Sequence, residues 1–250
     1  GIILFIYAIT HLINHSLNVY SIGLADFVRE HYWQPIWKNP VGTFLLYGSL
    51  IVHIPIGFYS IASKKSFRLT AREWVQLIFP VLALLLLLQH ILGGYILNRM
   101  FESNFGYQAL FSSILSEPNE AAIGTILFTL MVIFIWTHGV IGINQLLKFN
   151  FQNYDKFKIG LNIIYYAVPS LGLAGLWAGL KEQSLLAQFK AAQGEEGFLM
   201  TILGKIIPAE AFPYLLPIEP LVMNNYPLFV LALIILTVIN VLRSKYIGNI

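Results

Sequence analysis

The sequence contains no cysteine, and only 11% of its residues are charged. The first absence excludes disulfides, thiolate-bound iron–sulfur clusters and the C-x-x-C-H attachment of c-type haem. The second, together with 57% hydrophobic residues and a mean hydropathy of +0.71, means that the chain has more apolar surface than one water-facing core can bury. No basic patch with interleaved aromatic residues is present, so nucleic-acid binding is not expected. The composition predicts a protein that resides in a lipid bilayer.

Six apolar segments each approach the length of about 20 residues that a helix needs to cross a membrane. They cover roughly residues 1–19, 41–62, 75–98, 122–147, 160–180 and 226–243. None alternates with a period of two, as a strand of a membrane barrel would. We therefore predict an all-α, polytopic transmembrane bundle with six spans. The long connection at about 181–225 contains the amphipathic run GFLMTILGKII and four prolines, and we expect it to lie as a cap on the outer membrane surface.

The distribution of basic residues predicts how the bundle is oriented. Lys64, Lys65, Arg68 and Arg72 fall in the second connection, further lysines fall in the fourth, and Arg243 and Lys245 fall in the tail. Short loops rich in Lys and Arg face the cytoplasm. With six spans, both termini are expected on the cytoplasmic side.

Each of the first four spans contains one centrally placed histidine: His11, His53, His90 and His138. Ionisable side chains are rare within membranes and usually functional. Haem iron bound by one imidazole on each face fits one histidine on each of four helices. Without cysteine, such a haem would be b-type. Zinc or copper would require three or four clustered donors, or carboxylate or sulfur partners, and the spans contain none of these.

The depth of each histidine predicts which pairs share a haem. At 1.5 Å per residue, His11 and His90 each lie ~13 Å from the outer ends of their helices, and His53 and His138 each lie ~15 Å from the inner ends. The two pairs are then separated by on the order of 10 Å of depth, which leaves room for two haems. We therefore predict that His11 and His90 hold an outer haem, and that His53 and His138 hold an inner one. The structural alternative is that each imidazole is only hydrogen-bonded by a neighbouring helix.

His15 follows His11 by one turn and lies ~6 Å nearer the outer surface. It is a second candidate for the outer haem ligand, but its depth matches that of His90 less well. We expect it to contact a haem propionate or a quinone. The residues at similar height are Asn14, Asn18, Arg99 and Glu102. The rival quinone position is at the cytoplasmic side, near Trp74 and Gln76. Trp33 and Trp37 are expected to be interfacial belt residues.

The runs THLIN around His11, LIVHIPIGFYSIA around His53 and LQHILGGYI around His90 resemble the dihaem cytochrome b subunit of succinate and fumarate:quinone oxidoreductases. In that family the first helix pairs with the third and the second with the fourth, which implies the same two histidine pairs. THLINHSL, WKNPVGTFLLYGSLIVH and WTHGVIGI resemble more closely the six-helix membrane anchor of bacterial class III adenylate cyclases. This resemblance covers roughly the first 150 residues, and it implies a location in the bacterial inner membrane.

The resemblances divide the chain into residues 1–150, a four-helix dihaem core, and residues 151–250, two further spans with the long outer loop. They leave two redox functions open. One is a redox sensor, in which quinone sets the haem oxidation state and the bundle relays it to a cytoplasmic effector. The other is an electron-transferring anchor for a dehydrogenase of the succinate/fumarate type. No cyclase domain follows Ile250 in this chain, so an effector is expected further on or on a partner, and whether the chain is itself an enzyme stays open. A homodimer and a non-redox anchor or transporter are the remaining alternatives.

Overall fold

The structure, a computed structural model, describes residues 1–64, 68–116, 118–152, 154–195, 197–211 and 214. Nearly all of this part of the chain is helical, and it contains no strand. Nine α-helices follow one another in the described residues: α1 Ile2–Ser16, α2 Ile22–Val28, α3 Gln34–Trp37, α4 Pro40–Ala62, α5 Ala71–Tyr95, α6 Tyr107–Leu115, α7 Pro118–Asn150, α8 Tyr154–Ala192 and α9 Phe198–Ile206. Short 3-10 or π turns extend some of them, including Leu17–Val19, Arg29–Trp33 and Ile96–Met100.

Five of the described helices are long and apolar enough to cross a membrane. They are Ile2–Val19, Pro40–Ala62, Ala71–Met100, Ala121–Asn150 and Tyr154–Ala192, and they correspond to the first five predicted spans. The predicted all-α bundle is confirmed at this level. The sixth predicted span, residues 226–243, lies outside the described residues.

Local sequence signals begin two of the long helices. Asn39 accepts a hydrogen bond from the Gly42 backbone N–H at 2.8 Å, and Pro40 follows it in the first turn of α4. Thr70 and Glu73 form a reciprocal capping box at the start of α5. These caps satisfy backbone donors that would otherwise have no partner where the chain turns back toward the membrane.

The long helices pack as two sets. α1 lies along α8, and α5 lies along α7, while α4 rests mainly against α1. Three glycines of α8, Gly172, Gly175 and Gly179, face α1 and α6 at close range. A Cβ at Gly175 would lie only 1.9 Å from the His15 carbonyl oxygen, so this position allows the two helix backbones to meet.

The connections after α1 and α5 meet at one end of the bundle, which we call the α6 end. The opposite end, at the connection between α4 and α5, is the Lys64 end. At the α6 end, Asp26 of α2 accepts hydrogen bonds from the backbone N–H groups of Tyr107 and Gln108, at 2.8 and 3.3 Å. A carboxylate there stabilises the first turn of α6. This contact holds α6 in place beside α1.

The boundary of the predicted outer loop is wrong at its start, because residues 181–192 belong to α8. Glu182 accepts a hydrogen bond from the Ile22 backbone N–H at 3.0 Å, and Gln183 donates one to the Ser112 hydroxyl at 3.0 Å. These bonds anchor α8 beyond its apolar run. The run GFLMTILGKII contains α9, and the residues of the loop after 211 lie outside the described part, apart from Tyr214. Nothing tests the division at residue 150, although α8 packs along α1.

Candidate functional site

The structure brings together both predicted histidine pairs. The ring centres of His11 in α1 and His90 in α5 are 6.0 Å apart. The ring centres of His53 in α4 and His138 in α7 are also 6.0 Å apart. Each pair therefore joins a helix of the α1/α4 side to a helix of the α5/α7 side.

This separation matches the geometry of one metal ion held between two imidazoles. A metal–nitrogen bond is about 2 Å, and each ring centre lies about 1 Å beyond its nitrogen, so such a pair has ring centres about 6 Å apart. Within the described residues, no group of three or more His, Asp or Glu side chains gathers around a potential metal position. Haem requires only two protein ligands of this kind.

Five glycines lie near the histidines of the two pairs, and three of them adjoin open space. A Cβ at Gly57, Gly93 or Gly94 would meet no other atom within 4 Å. By contrast, a Cβ at Gly139 would lie 2.9 Å from the Phe5 ring, so that glycine serves helix packing. Near His138, a Cβ at Gly142 would lie 3.6 Å from the Gln76 side-chain nitrogen.

A cavity of about 220 Å³ opens beside His11 and His90, on the side toward the α6 end. Its wall includes aromatic, amide and basic side chains from α1, α5, α6 and the α2–α3 segment. Several of the wall's buried polar atoms have no hydrogen-bond partner in the described part of the chain: Asn14 Oδ1, His15 Nδ1, Trp33 Nε1, Trp37 Nε1 and Asn98 Oδ1. Buried polar atoms are normally paired, so this concentration indicates a polar ligand or ordered water.

His15 lies next to His11 on the cavity wall. The two Nε2 atoms are 3.3 Å apart, and the His15 ring packs edge-on against Tyr107 with a centroid distance of 4.9 Å. Only 7% of His15 is exposed. If His11 bound iron through Nε2, its hydrogen bond with His15 would have to break, because that nitrogen lone pair cannot serve both partners.

Asn14 completes the polar surroundings of His15. Its amide nitrogen donates to the Ala25 carbonyl at 3.1 Å and to the Tyr107 hydroxyl at 2.9 Å, joining α1 to α2 and α6. Burial raises the pKa of Tyr107 well above its usual range, so this hydroxyl stays protonated at neutral pH.

Of the residues predicted for the quinone site, His15 and Asn14 line this cavity, whereas Asn18, Arg99 and Glu102 do not. Asn18 is buried and donates to the His15 carbonyl, and Arg99 donates to the Lys38 carbonyl and the Thr43 hydroxyl. Glu102 is exposed and has a positive φ of 50°. The quinone site stays a prediction.

The α6 end carries a network of charges. Arg29 pairs with Asp26 and Glu30, each at 2.9 Å, and also donates to Asn104. Lys38 lies on the cavity wall. Burial lowers the pKa of Lys38, and the nearby Arg29 and Arg99 lower it further, while Glu30 opposes the effect.

The second pair lies toward the Lys64 end and has its own polar neighbours. His138 Nδ1 and the Gln76 side-chain oxygen are both buried without a partner in the described residues. Arg72 reaches across from α5 to the Ile141 carbonyl of α7 at 3.4 Å. The rival quinone position near Gln76 is therefore also close to a histidine of a pair.

The sequence argument missed the role of three residues on the cavity wall. The sequence predicts interfacial belt positions for Trp33 and Trp37 and no role for Lys38. Trp33 ends the π turn after α2, Trp37 ends the short helix α3, Lys38 follows it, and all three line the cavity. Hydropathy carries no signal for this placement.

A scan against protein-family models, a search of curated proteins and a search of solved structures found no match to this chain.

Proposed function

We propose that this chain is a membrane-embedded cytochrome domain that binds two b-type haems, one between His11 and His90 and one between His53 and His138. We further propose that it exchanges electrons with quinone and reports its redox state to a cytoplasmic effector such as an adenylate cyclase. The observation that carries the haem proposal is the separation of 6.0 Å between the ring centres in both pairs. Packed rings elsewhere in the fold have similar separations, so the distance supports the proposal because it occurs in both of the pairs that the histidine depths predict.

The residues present fit haem in three ways. Neutral imidazoles occupy opposing helices, open space adjoins Gly57, Gly93 and Gly94, and unpaired polar atoms line the cavity beside the first pair. A bound haem would supply reversible one-electron chemistry. Two histidines would hold each haem, and such ligation would favour electron transfer over oxygen activation. The protein's own part is to hold the imidazoles on rigid helices and to keep water away from them.

The test is the haem content of purified histidine variants. We expect two haems per chain in the wild type, with the absorption spectrum of reduced b-type haem. His53→Ala and His138→Ala should each remove the same haem, whereas His11→Ala and His90→Ala should each remove the other. His90→Met provides a ligand-preserving variant, because a His/Met haem is retained and raises the reduction potential.

His31→Ala is the matched control. His31 lies outside the spans, is exposed, and contacts the Phe27 carbonyl through Nδ1 at 2.9 Å. It should keep two haems. Retention of two haems in both His53→Ala and His90→Ala would refute the assignment, and loss with His15→Ala but not His11→Ala would exchange the roles of these two residues.

The quinone part of the proposal has two competing positions. His15 and Asn14 at the α6 end offer unpaired buried polar atoms beside the first pair, and Gln76 offers one beside the second. We expect reduction of the haems by quinol to slow at least tenfold in His15→Ala, with smaller effects in Arg99→Ala and Glu102→Gln. A loss of rate in Gln76→Ala alone would move quinone to the Lys64 end.

The electron-transferring anchor of a succinate/fumarate-type oxidoreductase uses the same two histidine pairs. It differs in its partner, a soluble dehydrogenase with iron–sulfur centres. Copurification from native membranes distinguishes the two, because only the respiratory alternative predicts flavin and non-haem iron bound in fixed ratio to the chain.

A further inference from the structure

Two buried hydrogen-bond donors without acceptors belong to residues that line the cavity at the α6 end. The indole nitrogens of Trp33 and Trp37 are buried, and neither has a hydrogen-bond partner in the described part of the chain. Both side chains line the cavity that contains His11 and His90. An indole N–H can only donate, and leaving it buried and unpaired costs about 1–3 kcal/mol. Two such donors among the residues that line one cavity indicate a hydrogen-bond acceptor within it.

A positive charge lies beside these two donors. Lys38 follows Trp37 in sequence, lines the same cavity and forms no salt bridge within the described residues. The charge of Arg29, in contrast, is matched by Asp26 and Glu30. Lys38 is therefore a cation on this wall that no carboxylate of the described residues contacts directly.

The backbone around Lys38 is held from α4 and α5. Arg99 donates to the Lys38 carbonyl at 3.0 Å, and the Thr43 hydroxyl donates to the Trp37 carbonyl at 3.3 Å. These bonds keep the Trp37–Lys38 segment over the cavity, so that its donors are arranged before a ligand arrives.

We propose that Trp33, Trp37 and Lys38 form a carboxylate-binding site at the α6 end of this cavity. Three single-point donors suit the two oxygens of a carboxylate. The carboxylate has two sources: the propionates of a haem held by His11 and His90, which rests on the proposed function, or a small free carboxylate from the aqueous side, which does not.

The first experiment compares the binding of haem and of its dimethyl ester, in the wild type and in variants of Lys38. Full-length chain in lipid nanodiscs, depleted of haem, is titrated with haem and with haem dimethyl ester, and binding is followed by the Soret absorption. We expect the ester to bind the wild type about tenfold to a hundredfold more weakly than haem. Lys38→Met should weaken haem by a similar factor and leave the ester unchanged. Lys38→Arg, which keeps the charge, should retain most of the haem affinity.

Two matched controls separate this effect from general damage. Lys181→Met removes an exposed lysine of α8, and Trp177→Phe removes an indole that already donates to Thr129 at 3.1 Å. Both should bind haem as the wild type does. Trp37→Phe should weaken haem more than the ester, because it removes a donor and keeps an aromatic ring.

The second experiment titrates the same haem-depleted chain with succinate and follows tryptophan fluorescence. Saturable quenching that weakens at least tenfold in Lys38→Met supports the free-carboxylate source, even if the wild type binds no haem and the proposed function fails. Equal affinity for haem and its ester, with no Lys38-dependent response to succinate, overturns this site while leaving the histidine ligation intact. A chain that binds neither haem nor succinate refutes both.

Discussion

Gly175→Ala tests the closest helix contact of the structure. The added Cβ would lie 1.9 Å from the His15 carbonyl oxygen, 2.6 Å from its carbon and 2.8 Å from the Ser16 Cα. These are backbone atoms, so no side-chain rotation relieves the overlap. Ordinary contact begins at 3.4 Å, and α1 and α8 must therefore separate by about 1.5 Å at this level.

Overpacking of this kind costs about 1–3 kcal/mol, and a protein of this size loses about 2–4 °C of Tm for each kcal/mol. We expect a Tm lower by roughly 3 to 10 °C, measured by circular dichroism of the chain in nanodiscs. His11 lies one turn before His15, so the same shift should displace it from His90. If the proposed function holds, haem bound at this pair should fall while haem at His53 and His138 remains.

Gly160→Ala is the matched control on the same helix. A Cβ at Gly160 would meet no atom within 4 Å, and alanine favours a helix over glycine by about 1 kcal/mol. Its Tm should equal or exceed that of the wild type. A Gly175→Ala variant with the same Tm as Gly160→Ala would show that α1 and α8 do not meet at His15.

Two further predictions concern the α6 end. Asp26→Ala should lower stability by about 2 kcal/mol in chemical denaturation, because it removes charge-assisted bonds to the first turn of α6, and Asp26→Asn should lose less; equal stability of Asp26→Ala and wild type would contradict the role of this cap. The pKa of Lys38 is lower in the folded chain than in the unfolded chain. Between these two pKa values the unfolded chain binds more protons, so the free energy of unfolding should rise with pH there. Lys38→Met should flatten this rise in the pH range just below the ordinary lysine pKa, and an unchanged slope would be evidence against the burial of Lys38.

The histidine pairing could be anticipated from the sequence because a helix converts residue number into height at a fixed rise. His11 and His90, and His53 and His138, are matched by that arithmetic, and their rings meet in the fold. Height alone does not determine direction around the helix axis. For this reason Arg99 and Glu102, placed correctly near one end of the bundle, turn out to contact α4 or solvent and leave the cavity wall to Trp33 and Trp37.

The end of α8 likewise could not be predicted from the local sequence. Lys181 and Glu182 interrupt the apolar run, and hydropathy therefore predicts the end of a span at residue 180. The helix continues to Ala192, because Glu182 accepts from Ile22 and Gln183 donates to Ser112. Each of these partners is more than 70 residues away in sequence, and no local pattern specifies them.

The sequence by itself determined the apolar character, the helical class, the positions of the first five spans and the height of each histidine. These properties follow from residue type and from helix geometry, which act locally. Only the tertiary structure decided that Gly175 lets α8 touch α1 and that Asp26 begins α6. It also decided that the π turn and the short helix after α2 place Trp33 and Trp37 on the wall of the cavity beside His11 and His90. Those contacts depend on how separate helices approach one another, and that approach is set by the packing of the whole bundle.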